Sequence, residues 1–246
     1  MIKPKDIPLK DIPLNERIIF ALDVDSMQKA AQWVDRLEGH IKFYKVGLQL
    51  FIAGWFPVID MITERGHKVM VDLKLFDVPE TVKLAVRQLK NHKVTFATVH
   101  GNDPIIRAAV EEKGDLKVLA VTVLTSFDET DMREMGFSRT VADLVYYRAK
   151  RSLDLGCDGI ISSGLEAGRI RKDLGDNFLI VTPGIRPGKN IEIPEDDQRR
   201  IATAQKAIAD GADYIVVGRP ISTAKDPIAV VESMHAEMQK GLAASA

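Results

Sequence analysis

Short apolar runs rich in β-branched residues alternate along the chain with longer stretches whose apolar residues recur at helical spacing. The short runs predict eight strands, at residues 18–22, 43–46, 68–73, 96–99, 118–123, 159–162, 179–181 and 214–217. The longer stretches predict eight helices, at residues 27–37, 50–62, 79–89, 104–110, 141–153, 165–174, 198–208 and 227–238. Each predicted strand is followed by a predicted helix.

Eight successive β-then-α units predict an α/β protein with the TIM (β/α)8 barrel fold, because short right-handed crossovers close such a series on itself. An open doubly wound parallel sheet is the alternative architecture. We expect a single domain, with an N-terminal extension at residues 1–16, a catalytic barrel at residues 17–240 and a C-terminal tail at residues 241–246. The stretch at residues 183–197 is long for a βα loop and rich in Gly, Pro and charge, which makes it a candidate lid.

The charges of the chain nearly cancel, with 34 Lys and Arg against 35 Asp and Glu and a formal net charge of -1. Binding to nucleic acid or to an anionic membrane is therefore not expected, and a small ligand held by local donors is the better hypothesis. Cys157 is the only cysteine, which excludes a disulfide framework and a multi-cysteine zinc site. Without an apolar leader or an uncharged run of roughly 18 residues, we expect a cytoplasmic protein.

Charged residues stand at the ends of the first three predicted strands, where the active site of a TIM barrel is built. Asp23 follows the first strand, and Lys45 lies near the end of the second. The two-residue period of the third strand places Asp72 and Lys74 on one face, pointing into the barrel mouth, with Asp77 further along. A layer of salt bridges that caps the barrel is the alternative, although buried ion pairs are weak evidence for stability.

The eighth predicted strand ends in Gly218 and Arg219, a combination suited to an anion. A glycine lets the backbone approach a ligand, and an arginine adds a fork of charged donors. The loops after strands seven and eight are the recurrent phosphate site of this fold, which favours phosphate over a plain turn. Arg186, after the seventh strand, and Gln198, after the long loop, are placed to reach the same phosphate.

The other chemically active side chains indicate no second site. The five histidines form no metal pair at helical or strand spacing, so no metal site is predicted. His100 ends the fourth strand, where a packed or solvated ring is favoured over a role in the pocket. Cys157 precedes the sixth strand at the bottom of the barrel, where a nucleophilic thiol is not expected. Trp33, Trp55 and Met70 fit core positions.

The segment from Asp72 to Thr81 reads Asp-Leu-Lys-Leu-Phe-Asp-Val-Pro-Glu-Thr and resembles the D-x-K-x-x-D-I-P-x-T signature of the orotidine 5'-phosphate decarboxylase family. Five shorter motifs similar to those of the family follow its order: Phe-Ala-Leu-Asp at 20–23, Lys-Val-Gly at 45–47, Val-Leu-Thr-Ser at 123–126, Thr-Pro-Gly-Ile-Arg at 182–186 and Val-Gly-Arg-Pro at 217–220. The resemblance implies a TIM-barrel homodimer that converts orotidine 5'-phosphate to UMP and CO2, the last step of de novo pyrimidine synthesis, without a cofactor.

The resemblance also implies roles for the four charged residues at the strand ends. Lys74 matches the proton donor, and Asp72 matches the carboxylate placed beside the C6 carboxylate of the substrate. Lys45 and Asp23 match residues that hold the ribose hydroxyls and orient the charged array.

Further residues match the family at the edges of its active site. Asp77 and Thr81 match residues that the neighbouring subunit contributes on the ribose side, so each site is expected to be shared between two chains. Thr125 and Ser126 fall where the family contacts the pyrimidine. The residues that match the phosphate-binding group are Arg186, Gln198, Gly218 and Arg219.

Three other functions remain as alternatives for such a barrel. The 3-keto-gulonate 6-phosphate decarboxylases look similar around the D-x-K-x-x-D motif, but they bind magnesium partly through an acidic residue where this chain has Lys45. Ribulose-phosphate epimerases have metal-binding histidines on strands two and three that find no counterpart here. A non-catalytic barrel that binds a phosphate or nucleotide would not need the charged array.

Overall fold

Eight parallel strands close into a barrel in the computed structural model, which describes residues 12–188 and 200–244. In chain order the barrel strands are β1 (Ile18–Ala21), β2 (Phe43–Gly47), β3 (Lys68–Leu75), β4 (Phe96–His100), β5 (Lys117–Val121), β6 (Gly159–Ile161), β7 (Leu179–Thr182) and, after two short strands, β10 (Tyr214–Val217). The short strands β8 (Ile185–Arg186) and β9 (Ala202–Thr203) pair with each other. Because β1 pairs with both β2 and β10, the predicted TIM barrel is confirmed and an open sheet is excluded.

Helices connect the strands around the outside of the barrel. They are α1 (Leu14–Arg17), α2 (Met27–Arg36), α3 (Leu48–Glu64), α4 (Pro79–Lys90), α5 (Asp103–Glu112), α6 (Glu129–Glu134), α7 (Val141–Asp154), α8 (Ala167–Leu174), α9 (Ala204–Ala209), α10 (Arg219–Ser222) and α11 (Pro227–Ala244). Local sequence signals mark the starts of two of these helices. The Ser26 side chain caps α2 by accepting from the Lys29 N–H, and Pro79 occupies the first turn of α4. Within 12–188 and 200–244, no helix has the length and apolar character needed to cross a membrane.

Alternation along the strands produces two apolar cores. Outward side chains pack against the helices in the larger core. The smaller core fills the barrel interior and consists of Ile19, Phe43, Met70, Phe96, Leu119, Leu179, Val181 and Tyr214. Two residues beyond Phe43 and Met70, the next inward positions are Lys45 and Asp72. The interior therefore changes from apolar to charged towards the C-terminal ends of the strands.

Residues 12–16, which were expected to form an extension, pack against the N-terminal end of the barrel. Ile12 contacts the interior core, and the Glu16 carboxylate pairs with Lys68 at 2.6 Å. Arg17, the next residue in the chain, is buried, and its Nη1 donates to the carbonyl of Asp213 at 3.0 Å. These contacts make residues 12–16 part of the barrel floor, while the remainder of the predicted extension, residues 1–11, lies outside the described residues.

The C-terminal boundary also differs from the prediction. Helix α11 continues to Ala244, so residues 241–244 are helical rather than part of a tail beginning at 241. Gly241 is buried, and a Cβ at this position would lie 2.6 Å from the carbonyl oxygen of Gln205. Close packing against α9 thus extends the helix beyond its predicted end at residue 238. Residues 245–246 lie outside the described part of the chain.

The segment after the long loop forms less helix than predicted. Residues 202–203 belong to β9, and the helix expected at 198–208 is Ala204–Ala209 in the structure. Thr203 ends the strand and caps the helix, since its side chain accepts from the Lys206 N–H. Pairing of Ala202 with Ile185 therefore overrides the helical pattern. Residues 189–199, which include most of the candidate lid, lie outside the described residues.

Helix α6 was not predicted, although the sequence contains its start signal. The Asp128 side chain accepts from the N–H of Asp131, and the Asp131 side chain accepts from the N–H of Asp128. Such a reciprocal capping box places a helix start in the loop after β5.

The core prediction is confirmed for Met70 but wrong for Trp55. Met70 is buried, whereas Trp33 is half-buried against Phe20 at a ring distance of 5.2 Å. Trp55 is 62% exposed and has a φ of 47°, which kinks α3 shortly before Pro57. The kink changes the helical phase, so the spacing of apolar residues no longer predicts which side of α3 is buried.

Candidate active site

A cavity of about 680 Å³ opens at the C-terminal ends of the barrel strands. Most of the predicted site residues line it: Asp23, Lys45, Asp72, Lys74, Thr125, Ser126, Arg186, Gly218 and Arg219. Its floor is formed by inward side chains of the strands, including Met70, Ile161 and Val216. The barrel therefore brings together residues that are separated by almost 200 positions in the sequence, at the end where this fold builds its active sites.

The four charged residues of the first three strands form one connected array. Lys45 Nζ lies 3.3 Å from Asp23 Oδ1 and 3.8 Å from Asp72 Oδ2. Lys74 Nζ lies 2.9 Å from the same oxygen of Asp72. Gly47 leaves room for this arrangement, since a Cβ there would lie 3.0 Å from Lys45 Nζ. The predicted alternation of negative and positive charge is thus present as a chain of ion pairs.

Asp72 is the centre of the array and is largely buried, with 13% of its side chain exposed. Burial acts to raise its pKa, but the charges of Lys45 and Lys74 and hydrogen bonds from Lys74 and Thr98 together hold the pKa below its ordinary value. Asp72 is therefore ionised at neutral pH, which allows it to orient both ammonium groups.

Thr98 was missed by the sequence analysis. Its hydroxyl donates to Asp72 Oδ1 at 2.9 Å and accepts from the backbone N–H of Lys74 at 2.9 Å. A signal was available, because Thr98 is two residues beyond inward-facing Phe96 and so belongs to the inward face of β4. Threonine is common in strands, however, and nothing in its local sequence identifies this hydroxyl as a partner of Asp72.

Lys74 has a left-handed backbone conformation with a φ of 49°. Such a conformation is uncommon for a residue with a side chain and is found where surrounding contacts enforce it. The pairing of β3 with β4 changes register between Val71 and Leu75, at this same position. The hydrogen bond from the Lys74 N–H to Thr98 and the ion pair with Asp72 hold the residue in place.

The segments after β7 and β10 contribute the donors predicted for phosphate to the same cavity. Gly218 follows β10 and begins the short helix α10, and the side chains of Arg219 and Arg186 add two positive charges to the lining. A Cβ at Gly218 would lie 3.4 Å from the Cβ of Ala21 and 3.5 Å from Asp23 Oδ2, so Gly218 lies directly beside the charged array. The two arginines and the two lysines of the array line one cavity, which suits a ligand that carries more than one anionic group.

Thr125 and Ser126 occupy the middle of a tight turn after β5. The N–H of Phe127 donates to the carbonyl of Leu124 at 3.0 Å and closes the turn. Both residues belong to the cavity lining, together with the charged array and the two arginines. Polar groups of this turn are therefore available to a ring held over the barrel mouth.

Comparison with known proteins agrees with this geometry. Residues 16–234 match the model of the Orotidine 5'-phosphate decarboxylase / HUMPS family. A curated orotidine 5'-phosphate decarboxylase from Methylococcus capsulatus is 48% identical over 98% of this chain and 99% of its own length. The chain belongs to the orotidine 5'-phosphate decarboxylase family.

Further members of the family support the assignment. A curated orotidine 5'-phosphate decarboxylase from Stenotrophomonas maltophilia is 44% identical over 97% of this chain and 98% of its own length. The crystal structure of the orotidine 5'-phosphate decarboxylase from Lactobacillus acidophilus superposes with a TM-score of 0.80 at 35% identity, over 91% of this chain and 99% of that one. The predictions of family, fold and carboxy-lyase class are therefore confirmed.

Three residues that resemblance to the decarboxylase family assigned to the site are not in the described cavity lining. Asp77 and Thr81 are exposed, the first in the turn after β3 and the second on α4. An oxygen of the Asp77 carboxylate accepts from the N–H of Val78 at 2.6 Å. Gln198 lies outside the described residues.

The expectations for His100 and Cys157 agree with their surroundings. His100 packs against Phe76 with a ring distance of 4.8 Å and is not among the lining residues, while burial and the charges of Arg148 and Lys74 lower its pKa. Cys157 is buried, and its burial raises the pKa of the thiol to about 12. A thiol that is neutral and buried is a poor nucleophile.

Proposed function

We propose that this chain converts orotidine 5'-phosphate to UMP and CO2, with Lys74 as the group that stabilises and protonates C6. The observation that supports the proposal most directly is the Lys74–Asp72 ion pair at 2.9 Å, which places an oriented ammonium group in the cavity. Membership of the family indicates the substrate, and the position of the ion pair indicates which group acts on it.

Loss of CO2 from C6 leaves an electron pair in an orbital that lies in the plane of the pyrimidine. The ring π system cannot delocalise this pair, so the intermediate needs direct electrostatic stabilisation. The ammonium group of Lys74 is already oriented before the reaction, and it supplies both the positive charge and the proton that C6 receives.

Asp72 and Lys45 prepare Lys74 for that step. The Asp72 carboxylate, ionised and buried, fixes the ammonium group and stands beside the position of the substrate carboxylate, which it repels. Lys45 balances the charge of Asp72, and with Asp23 it holds the ribose hydroxyls. Each charge in the array thus has a function in placing the others.

The remaining contacts bind the two ends of the nucleotide. Thr125 and Ser126 contact the pyrimidine, and the phosphate is held by Arg186, Gln198, Gly218 and Arg219. Binding energy from the phosphate, which is remote from C6, is available to organise the charged array around the reacting ring.

We also propose that the active form is a homodimer whose sites are shared, with Asp77 and Thr81 completing the site of the partner subunit. Both residues are exposed in this chain, next to exposed apolar side chains on Phe76 and Val78. The outer side of α3 adds Leu48, Ile52 and Trp55, which are each more than half exposed. Exposed apolar surface of this kind is typical of a subunit interface.

The reaction requires neither a cofactor nor a metal ion in this proposal, and the protein acts in the cytoplasm on a small molecule rather than on nucleic acid or a membrane. The metal-dependent alternative is disfavoured by charge. Lys45 Nζ lies 3.8 Å from Asp72, so a divalent cation bound to that carboxylate would be repelled by two ammonium groups.

The direct test is the absorbance change of orotidine 5'-phosphate on adding protein pretreated with EDTA. We expect full activity after chelation, and at least about 10³-fold loss for Lys74→Ala because one group supplies two catalytic effects. Lys83→Ala is the matched control. Lys83 Nζ lies 2.7 Å from Glu111 Oε1, and neither residue lines the cavity. Activity that disappears with EDTA and returns with magnesium would reject the metal-free mechanism.

A further inference from the structure

Arg200 is a buried arginine that the mechanism above does not use. It follows directly on the segment 189–199 and is 8% exposed. It does not line the cavity, so it is not placed to contact a substrate there. Burying a guanidinium group costs free energy unless its donors are satisfied, so its partners indicate what the residue does.

The first partner of Arg200 is a carboxylate in the loop after β6. Nη1 donates to Glu166 Oε1 at 2.7 Å, and both side chains are about nine-tenths buried. The other oxygen of Glu166 accepts a hydrogen bond from the Ser163 hydroxyl. Glu166 is therefore held from two sides and anchors one nitrogen of the guanidinium group.

The second set of partners lies in the loop after β5. Nη2 of Arg200 donates to the carbonyl oxygens of Val123 and Leu124, both at 3.0 Å. The carbonyl of Leu124 also accepts from the Phe127 N–H and thereby closes the turn that contains Thr125 and Ser126. Arg200 thus holds the base of the turn that lines the cavity.

The backbone near Arg200 is attached to the phosphate side of the cavity. The N–H of Ala202 donates to the carbonyl of Gly184 at 3.2 Å, and Ala202 pairs with Ile185 in the small sheet. Arg186 is the next residue of that strand. A single side chain therefore links the segment that contains Arg186 to the turn that contains Ser126.

We infer that Arg200 is a positioning residue, which fixes the turn at Thr125 and Ser126 relative to the phosphate-binding segment. The inference rests on the proposed function, because it takes that turn to contact the pyrimidine. A lysine could replace the charge beside Glu166, but its single ammonium group would not reproduce the planar fork that spans a carboxylate and two carbonyl groups.

The test compares Arg200→Ala and Arg200→Lys with Arg169→Ala. Arg169 is the matched control, because it is an exposed arginine paired with Asp143 at 3.4 Å and lies outside the cavity. A misplaced turn should weaken stabilisation of the transition state more than binding of the substrate. We therefore expect kcat for orotidine 5'-phosphate to fall about 10- to 100-fold in Arg200→Ala, while KM stays within about threefold of the wild-type value. Arg200→Lys should lose less, and Arg169→Ala should match the wild type.

Rescue separates positioning from general loss of structure. Millimolar guanidinium chloride should raise kcat of Arg200→Ala by about threefold or more, whereas potassium chloride at the same ionic strength should not. No rescue is expected for Arg169→Ala. If Arg200→Ala does not fold, kcat and KM are measured for Arg200→Lys instead, because this variant retains the buried charge. No guanidinium chloride is added in that case.

Hydrogen exchange measures the turn without reference to activity. The Phe127 amide should exchange at least about tenfold faster in Arg200→Ala or Arg200→Lys than in the wild type and Arg169→Ala. Unchanged kcat with unchanged exchange would overturn the inference. So would a rise in KM alone, which would make Arg200 a direct phosphate ligand. Wild-type protein that fails to convert orotidine 5'-phosphate would overturn the proposed function instead, and exchange at Phe127 would still decide the role of Arg200.

Discussion

The hydroxyl of Thr98 donates to the carboxylate of Asp72 at 2.9 Å across the β3–β4 pair. The same hydroxyl accepts from the backbone N–H of Lys74, so one threonine oxygen supports both members of the central ion pair. It also satisfies the N–H at the position where the backbone is left-handed and the register of the two strands changes. Thr98 therefore links the conformation of Lys74 to the orientation of Asp72.

Replacing Thr98 by valine should weaken the site while retaining the shape of the side chain. The substitution leaves a backbone donor and a carboxylate oxygen without this partner, which should lower the free energy of unfolding by about 1–3 kcal/mol. We expect kcat to fall about tenfold or more because Lys74 is less well placed. Thr98→Ser, which keeps the hydroxyl, should recover most of both quantities. Equal activity of the valine and serine variants would contradict this role.

Replacing Arg219 by alanine should weaken capture of the phosphate rather than proton transfer. Because a charged donor is lost, kcat/KM for orotidine 5'-phosphate should fall by an amount that corresponds to roughly 2–4 kcal/mol of transition-state stabilisation. Orotidine, which lacks the phosphate, is the control substrate and should be affected by no more than about threefold. Equal losses for the two substrates would place Arg219 in a different role.

Combining two inactive variants tests the shared site. Lys74→Ala and Asp77→Ala homodimers should each be nearly inactive if Asp77 acts in the partner's cavity. Subunit exchange then creates heterodimers in which one site contains both substitutions and the other contains neither. Activity should return on mixing, to about one quarter of the wild-type level at full exchange. Demonstrated exchange without recovery of activity would place both residues in the site of one chain.

Stability at low pH should report the pairing of Asp72. Its pKa is below the ordinary value of 3.8 in the folded chain, so the unfolded chain binds this proton more tightly. The stabilisation is complete above the ordinary value and is lost as the pH falls through the folded pKa. In denaturant titrations from about pH 5 to 2, the free energy of unfolding should therefore fall more steeply for the wild type than for Asp72→Asn. Parallel curves would contradict the assignment.

Cys157 should be unreactive in the folded protein. Its burial raises the pKa of the thiol to about 12, so neither access nor thiolate is available to an alkylating reagent at neutral pH. Iodoacetamide should leave activity unchanged and should label Cys157 only after unfolding, as measured by mass spectrometry. Rapid labelling with loss of activity would show that the thiol is accessible.

Much of the architecture is determined locally and was therefore predictable. The two-residue period decides which strand side chains face inward, so the sequence alone assigns Lys45, Asp72 and Lys74 to the barrel mouth, where the structure places them. The eight-unit order decides that strand ends distant in sequence meet, which brings Arg219 to the same cavity. Resemblance to the family then supplied the substrate, for which periodicity alone offers no information.

Other features depend on contacts that no local pattern encodes. Thr98 is 26 residues from Asp72 in sequence, and Arg200 is 77 from Val123, so their roles exist only once the barrel has closed. The positive φ of Trp55 is a second such feature, because it kinks α3 and shifts the helical phase, which made the core prediction for Trp55 wrong. Sequence periodicity determined which faces are buried, but only tertiary packing decided which polar partners meet, because hydrogen bonds depend on distance in space rather than along the chain.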